Sequence, residues 1–306
     1  MNLKPSNQLN LYGLDSFFQE FIELYNKNKL PNKILLTGSK GVGKSTMSYH
    51  LINFVLSKNE DYPYDSTNHK INIENKSFKL IQNNTCPNFI LIDVPFEKKK
   101  IDISQIRNMI LNLNKSSFNS KPRFILIDNI EYLNLNSINA LLKILEEPNL
   151  NTYFFLINNN KHILPTLKSR CLNFKINLSN KETIQIINML INGNIYDHIN
   201  ENLINYYSTP GKIYNLIKFS KEINIDLTKL DLKNFLNLII NENYYKKETS
   251  LKYIVYDFIE LFLSTRTDLI NSEMSNKFLK RINDTKKFNL DEESLFIEFK
   301  STILNV

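Results

Sequence analysis

The stretch Ile34-Leu35-Leu36-Thr37-Gly38-Ser39-Lys40-Gly41-Val42-Gly43-Lys44-Ser45-Thr46 decides the fold. An apolar run leads into the spacing G-x-x-x-x-G-K-[ST], and a helical pattern follows through Leu56, the order that a phosphate-cradling loop requires between a strand and a helix. The chain has only six glycines, and three of them, Gly38, Gly41 and Gly43, fall in this loop. Consecutive amides can wrap around a polyphosphate only where the backbone visits conformations that a Cβ would block, so this concentration has a backbone cause. The spacing assigns Lys44 to the β- and γ-phosphates and the Ser45 hydroxyl to Mg²⁺. Thr46 joins the nucleotide-binding set, and the helix N-terminus adds partial positive charge. ATP and Mg²⁺ are the expected ligands; the competing reading is a glycine-rich turn with no ligand.

Outward from the loop, further short apolar runs occur at Phe89 to Val94, Phe124 to Ile127, Tyr153 to Ile157 and Leu172 to Ile176. Continuous apolar runs mark strands covered on both faces, and helical patterns lie between them, so an α/β fold with a five-stranded parallel sheet is expected. In one intervening helix Ile138, Leu141, Leu142 and Leu145 share a face, with Pro148 just past its end. The stretch from Lys58 to Thr85 is polar and reads as an irregular insertion. Asp128 stands at the C-terminal end of the strand Arg-Phe-Ile-Leu-Ile-Asp, where ligands of open α/β sheets collect, and is the second expected Mg²⁺ ligand. A strand-terminating turn is the other reading of that aspartate. The next residue is Asn129, an amide that cannot accept a proton; losing a general base removes about 10²–10⁴-fold in rate. Hydrolysis is therefore expected to be slow or absent unless Glu131 substitutes, and the sequence argues against that rescue, since a displacement of even about an ångström at the reacting centre is costly. Asn158, closing the next strand, is a candidate γ-phosphate sensor or part of an ordinary loop, and Asn159 and Asn160 suit a turn.

Composition narrows the class. The chain has 306 residues, 42% hydrophobic and 23% charged, which fits a folded globular protein of two or three domains. No apolar run approaches the roughly 18 residues that would span a bilayer, and the opening is polar, so no membrane association and a cytoplasmic location are expected. Only Cys86 and Cys171 are present, which excludes a disulfide framework and a four-thiolate zinc site; no zinc is expected. The four histidines are scattered without ligand spacing. A net charge of +7 is compatible with nucleic acid, though lysine is abundant throughout, and the run Lys98-Lys99-Lys100 reads as phosphate contact or as a solvated loop.

The segment Leu164-Pro165-Thr166-Leu167-Lys168-Ser169-Arg170-Cys171 resembles the Ser-Arg-Cys motif of the AAA+ clamp-loader family. Asn139-Ala140-Leu141-Leu142-Lys143-Ile144-Leu145-Glu146-Glu147-Pro148 is similar to that family's N-A-L-L-K-x-L-E-E-P helix. Leu11-Tyr12-Gly13 with Leu30-Pro31 resembles the segment ahead of its phosphate loop. The resemblance covers residues 11 to 176 and implies a subunit of a ring-like heteropentamer of the bacterial DNA polymerase III clamp loader. Its partners would be gamma/tau and delta-like subunits, the sliding clamp, and primed DNA through the complex. It also implies that Arg170 acts in trans on a neighbour's ATP, against the plainer reading of a local ion pair. The delta-prime branch fits better than the gamma branch, because gamma-type chains usually carry a carboxylate after the Asp128 position and four zinc cysteines where this chain has only Cys86. A gamma-type ATPase motor is the alternative; a nucleotide kinase shares the loop but leaves the Ser-Arg-Cys motif and the helical second half unexplained. Thr209-Pro210-Gly211-Lys212 looks like the family's second sensor region, with Lys212 where arginine is common, which weakens bidentate phosphate contact there.

Past residue 176 the patterns are helical only. With the resemblance, they imply an AAA+ nucleotide-binding domain over residues 1–176, a small helical lid over 177–222 and an all-α C-terminal collar over 223–306. In the last stretch Ile254, Phe258, Leu261 and Phe262 share a helix face, as core or as a subunit contact.

Overall fold

Ile34, Leu35 and Leu36 are all fully buried, and they point alternately into two separate apolar layers. That is the environment of a strand sandwiched between helices, and it explains why these runs are continuously apolar rather than alternating. The computed structural model describes residues 3–95, 98, 100–115, 119–149, 151–204, 208–247, 249–265, 272–288 and 290–304. Lys99, the middle of the lysine run, lies outside them; Lys98 pairs with Asp102 at 2.5 Å.

The chain forms two compact units, residues 1–182 and 183–306. In the first, α1 (Asp15–Asn26) precedes β1 (Lys33–Thr37) and α2 (Lys44–Leu56); α3 (Lys76–Gln82), β2 (Phe89–Ile92) and α4 (Ile103–Leu113) follow. The series continues with β3 (Arg123–Ile127), α5 (Leu135–Glu146), β4 (Thr152–Asn158), α6 (Pro165–Lys168) and β5 (Leu172–Lys175). The five strands are parallel in the order β2-β3-β4-β1-β5, as the α/β reading expects. Thr37 stands opposite Asn158, and Ile127 opposite both Leu156 and Ile92, so the strands end at one common edge. Asp102 and Gln105 form a capping box at the start of α4, and Asn134 caps α5.

The polar insertion is more ordered than its composition suggests. It contains α3, which is capped by Asn75, and the Glu60 carboxylate accepts from the Ser77 amide and hydroxyl and from Lys121. These hydrogen bonds draw that carboxyl below its usual range although burial opposes them. A seven-residue helix rich in lysine and polar residues gives little periodic signal.

The second unit contains most of α7 (Asn180–Ile191), then α8 (Pro210–Glu222), α9 (Leu232–Asn241), α10 (Tyr244–Lys247), α11 (Thr249–Thr265), α12 (Ser272–Phe288) and α13 (Glu292–Phe299). One continuous apolar core runs through it, drawing Ile187 and Leu216 from before residue 222 and Phe235, Tyr256 and Phe296 from after it. Ile254, Phe258 and Phe262 lie in this core, with half-buried Leu261 packed against it. Thr209-Pro210-Gly211 starts α8: the Thr209 hydroxyl accepts from the Lys212 amide, and Pro210 occupies the first turn, where its missing N–H costs nothing.

Candidate functional site

The common C-terminal edge of the sheet gathers the polar residues. Gly38 follows β1 at a point where its amide donates to the Asn158 carbonyl, at 3.3 Å. A Cβ on Gly38 would lie 2.2 Å from the Ile176 carbonyl oxygen, so only glycine fits between β1 and the chain leaving β5. Gly41 and Gly43 have φ of 91° and 100°, in the left-handed region that glycine enters freely. Leu14 packs against the Gly43 turn. Gly38→Ala should therefore destabilise the first unit by about 3 kcal/mol, since the obstacle is backbone and cannot rotate away. Urea unfolding of the full chain measures this.

Lys44 opens α2 and is buried. Its ammonium donates to the Gly38 and Ser39 carbonyls at 2.7 and 2.9 Å and to Asn159 Oδ1 at 3.0 Å. Burial holds its pKa down at about 8, opposed by the charges of Asp128 and Glu131. Ser45 lies near enough to the Asp128 carboxylate to help hold its pKa down, and two oxygen donors side by side suit a hard cation such as Mg²⁺. Burial and the nearby Asp93 carboxylate push Asp128 up to about 6, while Ser45, the Asn129 amide and Lys44 pull it back. Thr46 is half-buried in the first turn of α2.

These shifts fix a pH dependence. The phosphates of ATP favour charged Lys44, so binding should take up a proton near and above pH 8, and affinity should fall about tenfold per pH unit at most as pH rises further. Calorimetry in two buffers of different ionisation enthalpy reads the proton uptake directly. Stability moves the other way. The unfolded chain keeps the lysine proton to higher pH than the folded chain does, so this group's contribution improves from about pH 8 upward.

The asparagine that reaches the loop is one residue along from the expected one. Asn158 is spent on a local turn, its amide donating to the Lys161 carbonyl and its oxygen accepting from the Lys161 N–H. Asn159 instead touches Lys44, donates Nδ2 to Asn129 Oδ1 at 2.8 Å and to Glu131 Oε1 at 2.9 Å, and Asn160 reaches the Ser39 hydroxyl. Asn158 is the last residue of β4 and its side chain is buried in that turn, while the next residue, Asn159, meets Lys44. Asn129 has φ of 56° and donates Nδ2 to Asp93 Oδ1 at 2.7 Å.

Asp93 is a site residue that the sequence reading passed over, and its signal was present. Residues 89–93 and 124–128 have the same sequence, Phe-Ile-Leu-Ile-Asp, and the two copies pair side by side in register. Each copy delivers an aspartate to the same edge, which is why Asp93 acts on Asp128.

Arg170 follows α6 and lies apart from these residues in contact terms. Its guanidinium donates to Glu146 Oε1 through Nε and Nη2, at 3.2 and 2.6 Å, and to the Thr166 carbonyl at 2.9 Å. Lys212, in the second unit, pairs with Asp257 at 2.6 Å. Cys171 is half-buried, and burial pushes its thiol up to about 11, as expected for a packing residue. Burial also raises the Cys86 thiol. Among the described residues no three His, Cys, Asp or Glu side chains gather into a metal cage, and none of the described helices is long and apolar enough to cross a membrane.

A family model described as DNA polymerase III, delta subunit, matches residues 13–180, more than half of the chain. The chain belongs to this family. Among its relatives, DNA polymerase III subunit gamma of Buchnera aphidicola subsp. Schizaphis graminum is 27% identical over 96% of this chain and 76% of that protein. Subunit delta' of Buchnera aphidicola subsp. Baizongia pistaciae is 31% identical, over 54% of this chain and 49% of that one. Subunit delta' of the Schizaphis graminum strain is 25% identical over 87% and 83%. The family match covers the phosphate loop, Asp128, Asn159 and Arg170, so every polar residue of the sheet edge lies within it.

Proposed function

We propose that this chain is a delta'-type subunit of a DNA polymerase III clamp loader. It binds ATP with Mg²⁺ at the Gly38–Ser45 loop, turns it over slowly, and offers Arg170 to the nucleotide of a neighbouring subunit. Asn129 carries the choice of branch. The loop, Lys44 and the Ser45–Asp128 pair make a site suited to a nucleotide, while the position beside Asp128 holds an amide instead of a proton acceptor. Lys44 supplies positive charge to the β- and γ-phosphates. The loop amides fix their orientation, and Ser45 and Asp128 hold the cation that neutralises charge as it develops.

In this reading residues 1–176 form the nucleotide-binding domain, 177–222 the lid and 223–306 the collar, within a cytoplasmic heteropentamer. Its partners are gamma/tau- and delta-like subunits, the sliding clamp and, through the complex, primed DNA. The gamma-type motor is the second reading, favoured by the gamma relative that aligns with nearly the whole chain.

Purification of the tagged chain with its polymerase partners, followed by chromatography of any retained nucleotide, tests the proposal. Recovery of the partner subunits with ATP or ADP bound is expected. Fast turnover by the isolated chain would favour the motor, and a chain that captures no clamp-loader subunit would overturn the assignment.

A further inference from the structure

Asn129 removes the proton acceptor from its usual place, yet a carboxylate still enters the site. Glu131 lies in the short turn after β3, residues Ile130–Tyr132, and its two oxygens accept from the Asn159 side chain at 2.9 Å and the Asn159 backbone N–H at 3.4 Å. Asn159 at the same time holds the Lys44 ammonium through Oδ1. Glu131 is thus a single side chain away from the group that grips the terminal phosphates. Two hydrogen bonds to one residue restrict its rotamer. Asn129 is fixed between Asp93 and Asn159, so the amide serves as a strut for the assembly. Asp93, the other candidate carboxylate, follows β2, at the far end of the strand order from the loop after β1, and is bonded to Asn129 and the Val94 amide.

We propose that Glu131 is the general base for ATP hydrolysis in this chain, with Asn159 as the residue that positions it. The inference rests on the reading of the loop as an ATP site. In the step, the oxygen of water bonds to the γ-phosphorus and the bridging P–O bond breaks with its electron pair leaving on ADP. The water proton passes to the Glu131 carboxylate.

The test uses the purified full chain with ATP and Mg²⁺ in single turnover, with bound nucleotide chromatographed over time and ATP and ADP affinities titrated separately. Wild type is expected to convert bound ATP to ADP slowly. Glu131→Gln should slow that conversion about 10²-fold or more, and Glu131→Asp should fall between the two. Removing a negative charge beside the terminal phosphate should also raise the preference for ATP over ADP by about threefold to tenfold in Glu131→Gln, a binding readout independent of turnover. Asp93→Asn, which alters the brace on Asn129 without touching Glu131, should slow conversion less than Glu131→Gln does.

Conversion by Glu131→Gln at the wild-type rate, intact ATP held indefinitely by the wild type, or loss of conversion in Asp93→Asn but not in Glu131→Gln would each overturn the proposal. Failure of the underlying site reading shows separately, as absence of ATP binding in the titration.

Discussion

In the reconstituted assembly, Arg170→Ala should lower turnover at the one nucleotide site that Arg170 serves by about 10³–10⁵-fold, while ATP binding to the mutated chain itself is unchanged. The argument starts from geometry. The guanidinium is held by Glu146 of α5 and by the Thr166 carbonyl, and none of these hydrogen bonds goes to its own phosphate loop. Both partners are only partly shielded from water, with side-chain exposures of 33% and 54%, so the pair contributes little to stability and gives way to a stronger anion. A neighbour's polyphosphate is such an anion, since a guanidinium bonds phosphate through two parallel N–H groups. Rapid-quench turnover on rings carrying one mutated subunit measures the effect. An unchanged rate at the adjoining site sinks the trans role, and a melting temperature close to wild type shows that folding is not the cause.

Lys44→Met should weaken ATP binding by about 10²–10⁴-fold and leave folding stability within about 1 kcal/mol of wild type. Two charge-assisted hydrogen bonds to phosphate, at about 1.5–3 kcal/mol each, account for the loss of affinity. The stability expectation follows from the lowered pKa of Lys44, whose first cause is burial: the folded chain holds this ammonium at a cost, and an apolar side chain of similar length relieves it. Against that relief stand the Gly38 and Ser39 carbonyls, which lose a donor. Equilibrium titration with a fluorescent ATP analogue and urea unfolding on the same sample separate the two effects. A large drop in stability would mean that the lysine is structural rather than a phosphate ligand.

Much of the first unit was legible because its signals are local. Each of the five runs became a parallel strand, and a run such as Ile34-Leu35-Leu36 is buried on both sides as a covered sheet requires. Leu172–Lys175, interrupted by Asn173 and Lys175, is an edge strand left largely exposed rather than the buried one its apolar residues suggested. Glycine in the loop was equally readable, because a chain so poor in that residue places it where backbone conformation demands it. The irregular appearance of the insertion was misleading. Its order comes from Glu60, Asn75 and Ser77, residues whose partners are distant in sequence or ambiguous in type. In the second unit helix periodicity was clear, whereas the single core joining residues on both sides of position 222 was not.

The sequence by itself determined the strand-loop-helix with its lysine and hydroxyl, the aspartate that ends β3, and the amide that follows it at Asn129, because each is set by residue type at fixed spacing. Tertiary structure alone decided which asparagine meets Lys44, that Asp93 comes to stand beside Asp128, and that Glu131 enters the same cluster. The reason is register. Parallel pairing aligns the ends of strands separated by long crossovers, and a one-residue step past a strand end separates a side chain buried in its own turn from one that meets Lys44, a choice that no local pattern in the chain records.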